Sequence, residues 1–231
     1  MTSRDDVLAT QRARLRNLQP LNAAPPVKVD GTKATIRIYQ DVDDFGGPWG
    51  LSATELTAEL DALSDDVKTI ELRINSYGGS VFEAVTMMNA LRSHPARVVA
   101  VVEGLAASAA SFLAVSADET VMLPSSRMML HAAWGVAIGN AADMRAMADL
   151  LDALTLDIAE VYAAKTGEDG SEWLDRLSAD RWYSAQEAVD AGLADRVEAI
   201  TPNTSDDVES PEGGQAHARF DPSLSLALLD L

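Results

Sequence analysis

Two kinds of hydrophobic pattern alternate along this chain. Short apolar runs are typical of strands, and they are separated by longer segments whose apolar residues recur at helical spacing. The predicted strands are 33–42, 68–75, 96–104, 120–124, 127–133 and 195–200. The predicted helices are 5–18, 52–63, 80–93, 105–117, 141–167 and 184–192. Strands that alternate with helices predict an α/β fold with parallel pairing and right-handed crossovers.

Local signals support the boundaries of these elements. Segment 96–104 is an almost continuous apolar run, which is typical of a strand buried on both faces. Ser52 with Glu55, and Ser184 with Glu187, have the spacing of a capping box. Each of the two serines is therefore predicted to begin a helix.

The sequence is predicted to comprise three regions. Residues 1–30 form a polar N-terminal extension, and residues 31–200 form one globular domain that contains the predicted strands. Residues 201–231 are predicted to be a disordered acidic tail, because 201–215 is polar and rich in turn-forming residues. The tail ends in the apolar run SLSLALLDL.

Composition narrows the choice of partners and chemistry. The chain has 36 acidic and 18 basic residues and a formal net charge of −18. Such a surface argues against nucleic acid and anionic membranes as partners, because their phosphates repel it. The absence of cysteine excludes disulfides and thiolate chemistry and fits a cytoplasmic location. The sequence shows neither a secretory signal nor an apolar run of the roughly 18 residues that span a bilayer.

Two predicted strand-to-helix turns carry candidate chemistry. Gly78 and Gly79 follow the strand 68–75, and paired glycines leave backbone N–H groups accessible to an anion. Ser108 lies in the small-residue segment GLAASAAS, where its hydroxyl would be accessible near a helix N-terminus. An ordinary glycine turn and close helix packing are the structural explanations of the same two segments.

One histidine and one aspartate complete the set of candidates. Of the three histidines, His131 lies in a predicted strand, His94 precedes a proline at a helix end, and His217 lies in the tail. Imidazole is suited to general-base catalysis near neutral pH. Asp180 is the candidate acidic partner, with Asp175 as its competitor. A core histidine and a surface carboxylate are the structural alternatives.

Taken in order, four blocks of the sequence resemble the Clp-type serine peptidases. The blocks are GGSVFEAVTMMNALR, GLAASAASFLAVSADE, MMLHAAWG and DRWYSAQEAVDAGLADRV. The resemblance covers about residues 33–200 and is closest to the phage-encoded ClpP-like proteins that mature viral heads. It implies an α/β fold of the ClpP and crotonase type, in which β-β-α units repeat as a superhelix and one helix protrudes.

The resemblance also implies a role for each candidate residue. Ser108 matches the nucleophile, His131 matches the general base, and Asp180 matches the residue that orients the histidine. The backbone N–H groups of Gly79 and Ala109 match the oxyanion hole. The implied reaction is hydrolysis of a peptide bond through an acyl-enzyme, with no cofactor and no metal.

The turn before the oxyanion hole departs from the family pattern. Tyr77 stands where many relatives have proline, which would preset the backbone dihedral angle. Tyr77 and Gly78 are expected to contact a substrate that binds as an added strand beside the turn.

The implied assembly is a homo-oligomer of two stacked rings of seven, with the active sites inside. The helix 141–165 and the apolar segment 132–139 resemble the contact element between rings. The implied substrate is a protein, and for the phage-like members it is a capsid or scaffold protein. The chain contains no nucleotide-binding P-loop, so an ATPase partner would be a separate protein.

Other functions remain open at the level of the sequence. A peptidase of the signal-peptide-peptidase-A type uses a Ser-Lys dyad, but the four lysines of this chain lie outside the matched blocks. A crotonase-type enzyme acting on acyl-CoA would need a similar oxyanion hole without the serine and histidine. A general ClpP ring that works with an ATPase, and an inactive ring with a structural role, are two further alternatives.

Overall fold

The computed structural model describes residues 27–199, in which the chain forms eight strands and six α-helices. The strands are β1 (Lys28–Asp30), β2 (Lys33–Ile38), β3 (Thr69–Ser76), β4 (Arg97–Ala107), β5 (Glu119–Met122), β6 (Arg127–Leu130), β7 (Arg181–Ser184) and β8 (Arg196–Val197). The helices are α1 (Ala53–Asp61), α2 (Val81–Ser93), α3 (Ala109–Val115), α4 (Ala141–Thr166), α5 (Gly170–Leu177) and α6 (Ala185–Asp190). The helix predicted at 5–18 and the predicted tail lie outside the described residues.

These strands form one mixed sheet. Its main order is β1-β2-β3-β4-β5-β8, and β6 pairs with both β4 and β7. The pairs β2–β3, β3–β4, β4–β5, β4–β6 and β5–β8 are parallel. Strands β1 and β7 are antiparallel to β2 and β6. The prediction of an α/β fold with parallel pairing is confirmed.

The core lies between one face of the sheet and the helices that cover it. In β3 the fully buried residues are Ile70, Leu72 and Ile74, which alternate as the strand period of two requires. Every residue of α3 is buried, so this short helix runs through the middle of the core. The small side chains of the segment GLAASAAS thus allow close packing, and they also allow Ser108 to lie at the start of the helix.

The opposite face of β2, β3 and β4 carries a network of charges. Glu71 accepts from Lys33 and from Arg73, whose Nε lies 2.6 Å from the Glu71 carboxylate. Arg73 also donates to Glu103, which accepts from the Tyr39 hydroxyl. Because each of these half-buried charges has a partner of opposite sign, the desolvation that burial imposes on it is offset.

Helix α4 packs against the core only along its second half. Asn140 caps its N-terminus in a capping box with Asp143, and Gly167, at a φ of 75°, ends it in the left-handed conformation. The buried residues are confined to Ile158, Ala159, Tyr162 and Ala163, so the first turns protrude as predicted. Within residues 27–199, neither α4 nor any other helix is apolar enough over the length needed to cross a membrane.

Several boundaries differ from the sequence prediction. The helix predicted at 105–117 begins only at Ala109, because residues 105–107 extend β4 and pair with β6. Alanine favours a helix locally, and the pairing of these residues with β6 overrides that preference. The pattern also does not predict α5, in which Trp173 and Leu177 are fully buried. The capping boxes at Ser52 and Ser184 are both present as predicted.

Candidate active site

The candidate site lies at the carboxyl ends of two adjacent parallel strands. Ser108 directly follows β4, and His131 directly follows β6. Ala107 pairs with Met129, and the Ser108 N–H donates to the Met129 carbonyl at 2.9 Å. Because both strands end at the same edge of the sheet, Ser108 and His131 line one cleft.

The backbone of Ser108 adopts an uncommon conformation. Its φ is 52° and its ψ is −127°. A residue with a side chain rarely adopts this combination, at a cost of about 1–3 kcal/mol. The Ser108 carbonyl accepts from the Ser111 N–H at 2.9 Å and from Ser111 Oγ at 2.6 Å. Together with the bond to Met129, these contacts hold a sharp turn with Ser108 half-buried at the start of α3.

Ser111, one helical turn away, has a different environment. It is fully buried, and its Oγ lies 2.7 Å from the Tyr162 hydroxyl in addition to its contact with the Ser108 carbonyl. A hydroxyl engaged in this way has no access to a substrate. Of the two serines in this turn of the helix, only Ser108 faces the cleft.

The tautomer of His131 follows from its contact with the backbone. Its Nδ1 lies 2.6 Å from the Ala132 carbonyl oxygen. Because a carbonyl oxygen only accepts, Nδ1 carries a proton, and in the neutral ring Nε2 then has the lone pair. That is the form of imidazole that acts as a base. Within residues 27–199, no hydrogen bond joins the His131 ring to Ser108 or to Asp180 in this arrangement.

Asp180 lies beside His131 through the pairing of β6 with β7. Leu130 is opposite Arg181 at the end of this antiparallel pair, and His131 and Asp180 are the next residues beyond that end. The two residues line a second cleft of about 400 Å³. Asp180 has a φ of 47°, which marks the turn into β7. Its competitor Asp175 is exposed on α5 and does not line this cleft within the described part of the chain.

The two glycines of the turn after β3 are required by close contacts. Gly78 has a φ of 89°, and a Cβ there would lie 2.5 Å from the Ala107 carbonyl oxygen and 2.9 Å from the Ser108 Cβ. Gly79 has a φ of 142°, and a Cβ there would lie 2.1 Å from the Val42 carbonyl oxygen. The turn therefore packs against the Ser108 turn at Gly78 and against Val42 at Gly79, and only glycine permits both contacts.

Gly79 and Ala109 both line the cleft that Ser108 and His131 share. Val42 donates to the Gly78 carbonyl and accepts from the Ser80 N–H, so the Gly79 N–H between them points away from Val42. The Ala109 N–H is the first of α3 and has no acceptor within the helix. Within residues 27–199, neither the Gly79 N–H nor the Ala109 N–H has a hydrogen-bond acceptor.

Gly78 and Tyr77 differ in what they offer a substrate. The Gly78 N–H donates to Ser76 Oγ at 3.1 Å, and its carbonyl accepts from Val42 at 2.7 Å. Both backbone polar groups of Gly78 are thus hydrogen-bonded within the protein. This favours a role for Gly78 in positioning the turn, rather than the direct substrate contact that the sequence predicts. The Tyr77 side chain is 76% exposed beside the turn and remains accessible to a bound peptide.

The rest of the cleft around Ser108 is apolar. Its other lining residues are Val81, Phe112, Ala132, Ala133, Trp134, Ile158 and Tyr162. None of the four lysines lines this cleft, and Lys165 is paired with Asp195 at 2.7 Å. Among the described residues, no group of three or more His, Asp or Glu side chains has the arrangement of a metal site.

Comparison with known proteins decides which family this site belongs to. A family model described as Clp protease matches residues 32–201. The chain belongs to the Clp protease family. This family assembles as oligomeric rings that cleave protein substrates, and its members are serine endopeptidases. The match favours a Clp protease over the crotonase-type and Ser-Lys alternatives.

Curated relatives of this Clp protease cover most of the domain. The chain is 33% identical over 177 residues to the ATP-dependent Clp protease proteolytic subunit 3 of Rhodococcus jostii, which covers 74% of this chain and 86% of the relative. It is 34% identical over 157 residues to proteolytic subunit 2 of Thermobifida fusca, covering 66% and 77% of the two chains. It is 34% identical over 151 residues to proteolytic subunit 3 of Streptomyces coelicolor, covering 64% and 70%.

Proposed function

We propose that this Clp protease hydrolyses peptide bonds with Ser108 as nucleophile, His131 as general base and Asp180 as the residue that orients the imidazole. The observation that carries the proposal is the meeting of β4, β6 and β7, whose ends bring these three residues to adjoining clefts. A triad is recognised by the geometry and roles of its members rather than by their order in the chain.

The chemistry begins with transfer of a proton. His131 Nε2 takes the proton of Ser108 Oγ as the oxygen attacks the carbonyl carbon of the scissile bond. The imidazolium then gives this proton to the leaving amine, and the C–N bond breaks to leave an acyl-enzyme. Water, deprotonated by the same Nε2, attacks the ester and releases the second product and the free Ser108 hydroxyl.

Asp180 and the Ala132 carbonyl are alternative acceptors for one proton. In the present arrangement the His131 Nδ1–H donates a hydrogen bond to the Ala132 carbonyl. A rotation of the ring towards Asp180 would transfer that hydrogen bond to the Asp180 carboxylate. The tautomer is the same in both arrangements, so Nε2 remains the base. A carboxylate stabilises the imidazolium that forms during the reaction better than a neutral carbonyl does.

The N–H groups of Gly79 and Ala109 form the proposed oxyanion hole. Both face the cleft beside Ser108 and lack an acceptor within residues 27–199. The negative oxygen of the tetrahedral intermediate would supply that acceptor, and one such donor is worth about 10²–10³ in kcat where it has been removed elsewhere. The substrate would lie extended along the Gly79 turn, with Tyr77 at its side.

The proposed assembly is a pair of stacked rings of seven, in contact through the exposed part of α4 and the loop before it. Three large apolar side chains of that loop, Trp134, Val136 and Ile138, are each about three-quarters exposed. An exposed apolar patch of this kind marks a protein contact. A second subunit would cover it in the ring assembly.

The proposed biological role is processing of a capsid or scaffold protein during phage head maturation, which follows from the resemblance of the four sequence blocks. The second candidate is general proteolysis with a separate ATPase. The relatives from Rhodococcus jostii and Thermobifida fusca are ATP-dependent Clp protease proteolytic subunits, which favours this second candidate.

Co-expression separates the two roles. The protein would be produced together with candidate phage capsid and scaffold proteins, and their cleavage would be followed by intact-mass spectrometry. Defined cleavage by the wild type, absent with Ser108→Ala, supports head maturation. Cleavage that appears only after addition of an ATP-dependent unfoldase supports general proteolysis.

A further inference from the structure

A directed chain of hydrogen bonds runs from the core to the Ser108 turn. Ser111 Oγ has one proton, and the Ser108 carbonyl at 2.6 Å can only accept it. The contact of 2.7 Å between Ser111 Oγ and the Tyr162 hydroxyl must therefore have Tyr162 as donor. The direction is fixed from Tyr162 through Ser111 to the carbonyl of Ser108.

The far end of this chain is fixed in the core. Tyr162 is fully buried in the packed half of α4, and its ring lies against Trp173 at 5.3 Å between centroids. The Trp173 indole donates to Thr166 Oγ1 at 3.1 Å, which joins α5 to the end of α4. Burial raises the pKa of Tyr162 well above its ordinary value, so its hydroxyl keeps the proton that it donates.

The near end acts on the peptide unit that joins Ser108 to Ala109. A peptide unit is planar and trans, so its carbonyl and its N–H point in opposite directions. Ser111 Oγ and the Ser111 N–H together hold the Ser108 carbonyl towards the interior. The Ala109 N–H of the same peptide unit is consequently held towards the cleft.

We propose that Ser111 and Tyr162 are positioning residues, which orient the Ala109 N–H as an oxyanion donor by holding the Ser108 carbonyl. The inference rests on the proposed function, since it assigns Ala109 to the oxyanion hole. Neither residue touches the substrate carbonyl, and both act through the peptide unit that does.

The test uses three variants of the full-length protein. Ser111→Ala removes the hydroxyl donor to the Ser108 carbonyl and leaves the Ser111 N–H donor in place. Tyr162→Phe keeps the ring but removes the hydroxyl at the start of the hydrogen-bond chain. Ser116→Ala is the matched control, because Ser116 Oγ makes the same kind of bond, at 2.8 Å, to the Leu113 carbonyl at the other end of α3. Each variant is measured for cleavage of a fluorogenic peptide, for its rate of labelling by a fluorophosphonate and for its melting temperature.

We expect Ser111→Ala and Tyr162→Phe to weaken stabilisation of the transition state and to leave substrate binding unchanged. Ser111→Ala should lower kcat and the labelling rate about tenfold, the loss expected of one hydrogen bond, with KM unchanged. Tyr162→Phe should lower both about threefold, since Ser111 can still donate. The double variant should match Ser111→Ala, because the two hydroxyls act in series. Ser116→Ala should leave kcat unchanged.

Other results would overturn the inference. A lower melting temperature in Ser111→Ala with unchanged kcat and labelling rate would give the residue a structural role only. Effects of Ser111→Ala and Tyr162→Phe that multiply in the double variant would show two independent actions. If Ser111→Ala does not fold, an unchanged kcat in Tyr162→Phe contradicts the chain of hydrogen bonds. A wild-type protein that fluorophosphonate does not label refutes the proposed function itself, and this inference with it.

Discussion

Ser108, His131 and Asp180 come from three elements whose ends meet at one edge of the sheet. Their neighbours in sequence carry the same chemical groups and yet differ in environment. Ser111 is buried and hydrogen-bonded to both Ser108 and Tyr162, and Asp175, which is exposed like Asp180, lies outside the cleft that Asp180 lines with His131. The environment, and not the residue type, separates the proposed catalytic residues from these competitors.

The triad makes a prediction about combined substitutions. Ser108→Ala and His131→Ala should each lower kcat by at least about a thousandfold, because either loss removes the activated nucleophile. The double variant should be little worse than either single one, since the two residues act in one step. Peptide hydrolysis by the purified variants measures this, and losses that multiply would contradict a shared step.

Asp180 is distinguished from Asp175 by a matched pair of variants. Asp180→Asn should lower kcat strongly, because an amide cannot stabilise the imidazolium as a carboxylate does. Asp175→Asn makes the same chemical change on α5 and should leave kcat within about twofold, as expected for an exposed residue away from the site. The opposite ranking in kcat would show that the third member is wrongly assigned.

At the scale of elements, the turn after β3 and the turn after β4 are built against each other. The Cβ that Gly78 lacks would meet the backbone of the Ser108 turn, and the Cβ that Gly79 lacks would meet Val42. Glycine is thus needed at both positions because no space is left for a Cβ, as well as for the backbone conformation. This contact brings the Gly79 N–H to the same cleft as the Ala109 N–H.

Alanine substitutions in this turn test the contact. Gly78→Ala and Gly79→Ala should each lower kcat by more than tenfold, because the new Cβ would displace the turn from the Ser108 turn in the first variant and from Val42 in the second. Gly31→Ala is the control, since Gly31 also has a positive φ, at 57°, but no atom lies within 4 Å of its added Cβ. It should cost about 1–2 kcal/mol of stability with an unchanged kcat. Equal kcat values in all three would show that the close contact is not needed for catalysis.

The charged face of β2, β3 and β4 predicts a dependence of stability on pH. Burial alone would raise the pKa of Glu71, but the hydrogen bonds from Lys33 and Arg73 outweigh it and hold the pKa below the ordinary glutamate value. The carboxylate is therefore stabilising above that ordinary value, about pH 4.3, and this stability is lost as the pH falls through the lower pKa of the folded state.

Glu71→Gln measures that contribution. At pH 7 the variant should lose about 1 kcal/mol of unfolding free energy, the order expected of partly exposed pairs. The difference from the wild type should shrink as the pH falls below about 4, where the wild-type carboxylate is protonated. Urea unfolding at several pH values checks this, and a difference that is constant with pH would contradict the ion-pair explanation.

The parts of the fold that sequence predicts are those with local causes. Ser52 and Ser184 cap their helices through a glutamate three residues later, a signal contained in four residues. Strand β4 continues through Ala107 because β6 pairs with it. No local sequence pattern predicts that pairing. The pairing of Leu130 with Arg181, which places Asp180 beside His131, is likewise between distant segments.

The candidate site likewise combines features that the sequence predicts with features that depend on contacts between distant segments. The candidate residues come from the order of four sequence blocks, which the family match supports, but their contacts come from the fold. The bond between Ser111 and Tyr162 joins residues 51 positions apart, and both read in the sequence as ordinary packing residues of helices. Burial together with a paired hydroxyl is the signal that identifies them, and only the structure contains it.

At the scale of the whole molecule, the proposed stacking of rings predicts a dependence of particle size on the loop before α4. Val136→Asp and Ile138→Asp should separate the stacked rings, because charges at an apolar contact are desolvated without partners. Val29→Asp is the control, since Val29 is an exposed apolar residue of β1 far along the sheet. Native mass spectrometry should show half-size particles for the first two variants and intact particles for the third. Intact particles in all three would place the ring contact elsewhere.

Covalent labelling tests whether Ser108 is the nucleophile of a serine peptidase. The purified wild-type protein is treated with a fluorophosphonate, digested and sequenced by tandem mass spectrometry. One adduct is expected, on Ser108, and it should be absent from Ser108→Ala and from His131→Ala. An adduct on Ser111, or labelling of Ser108→Ala at the wild-type rate, would contradict that role for Ser108.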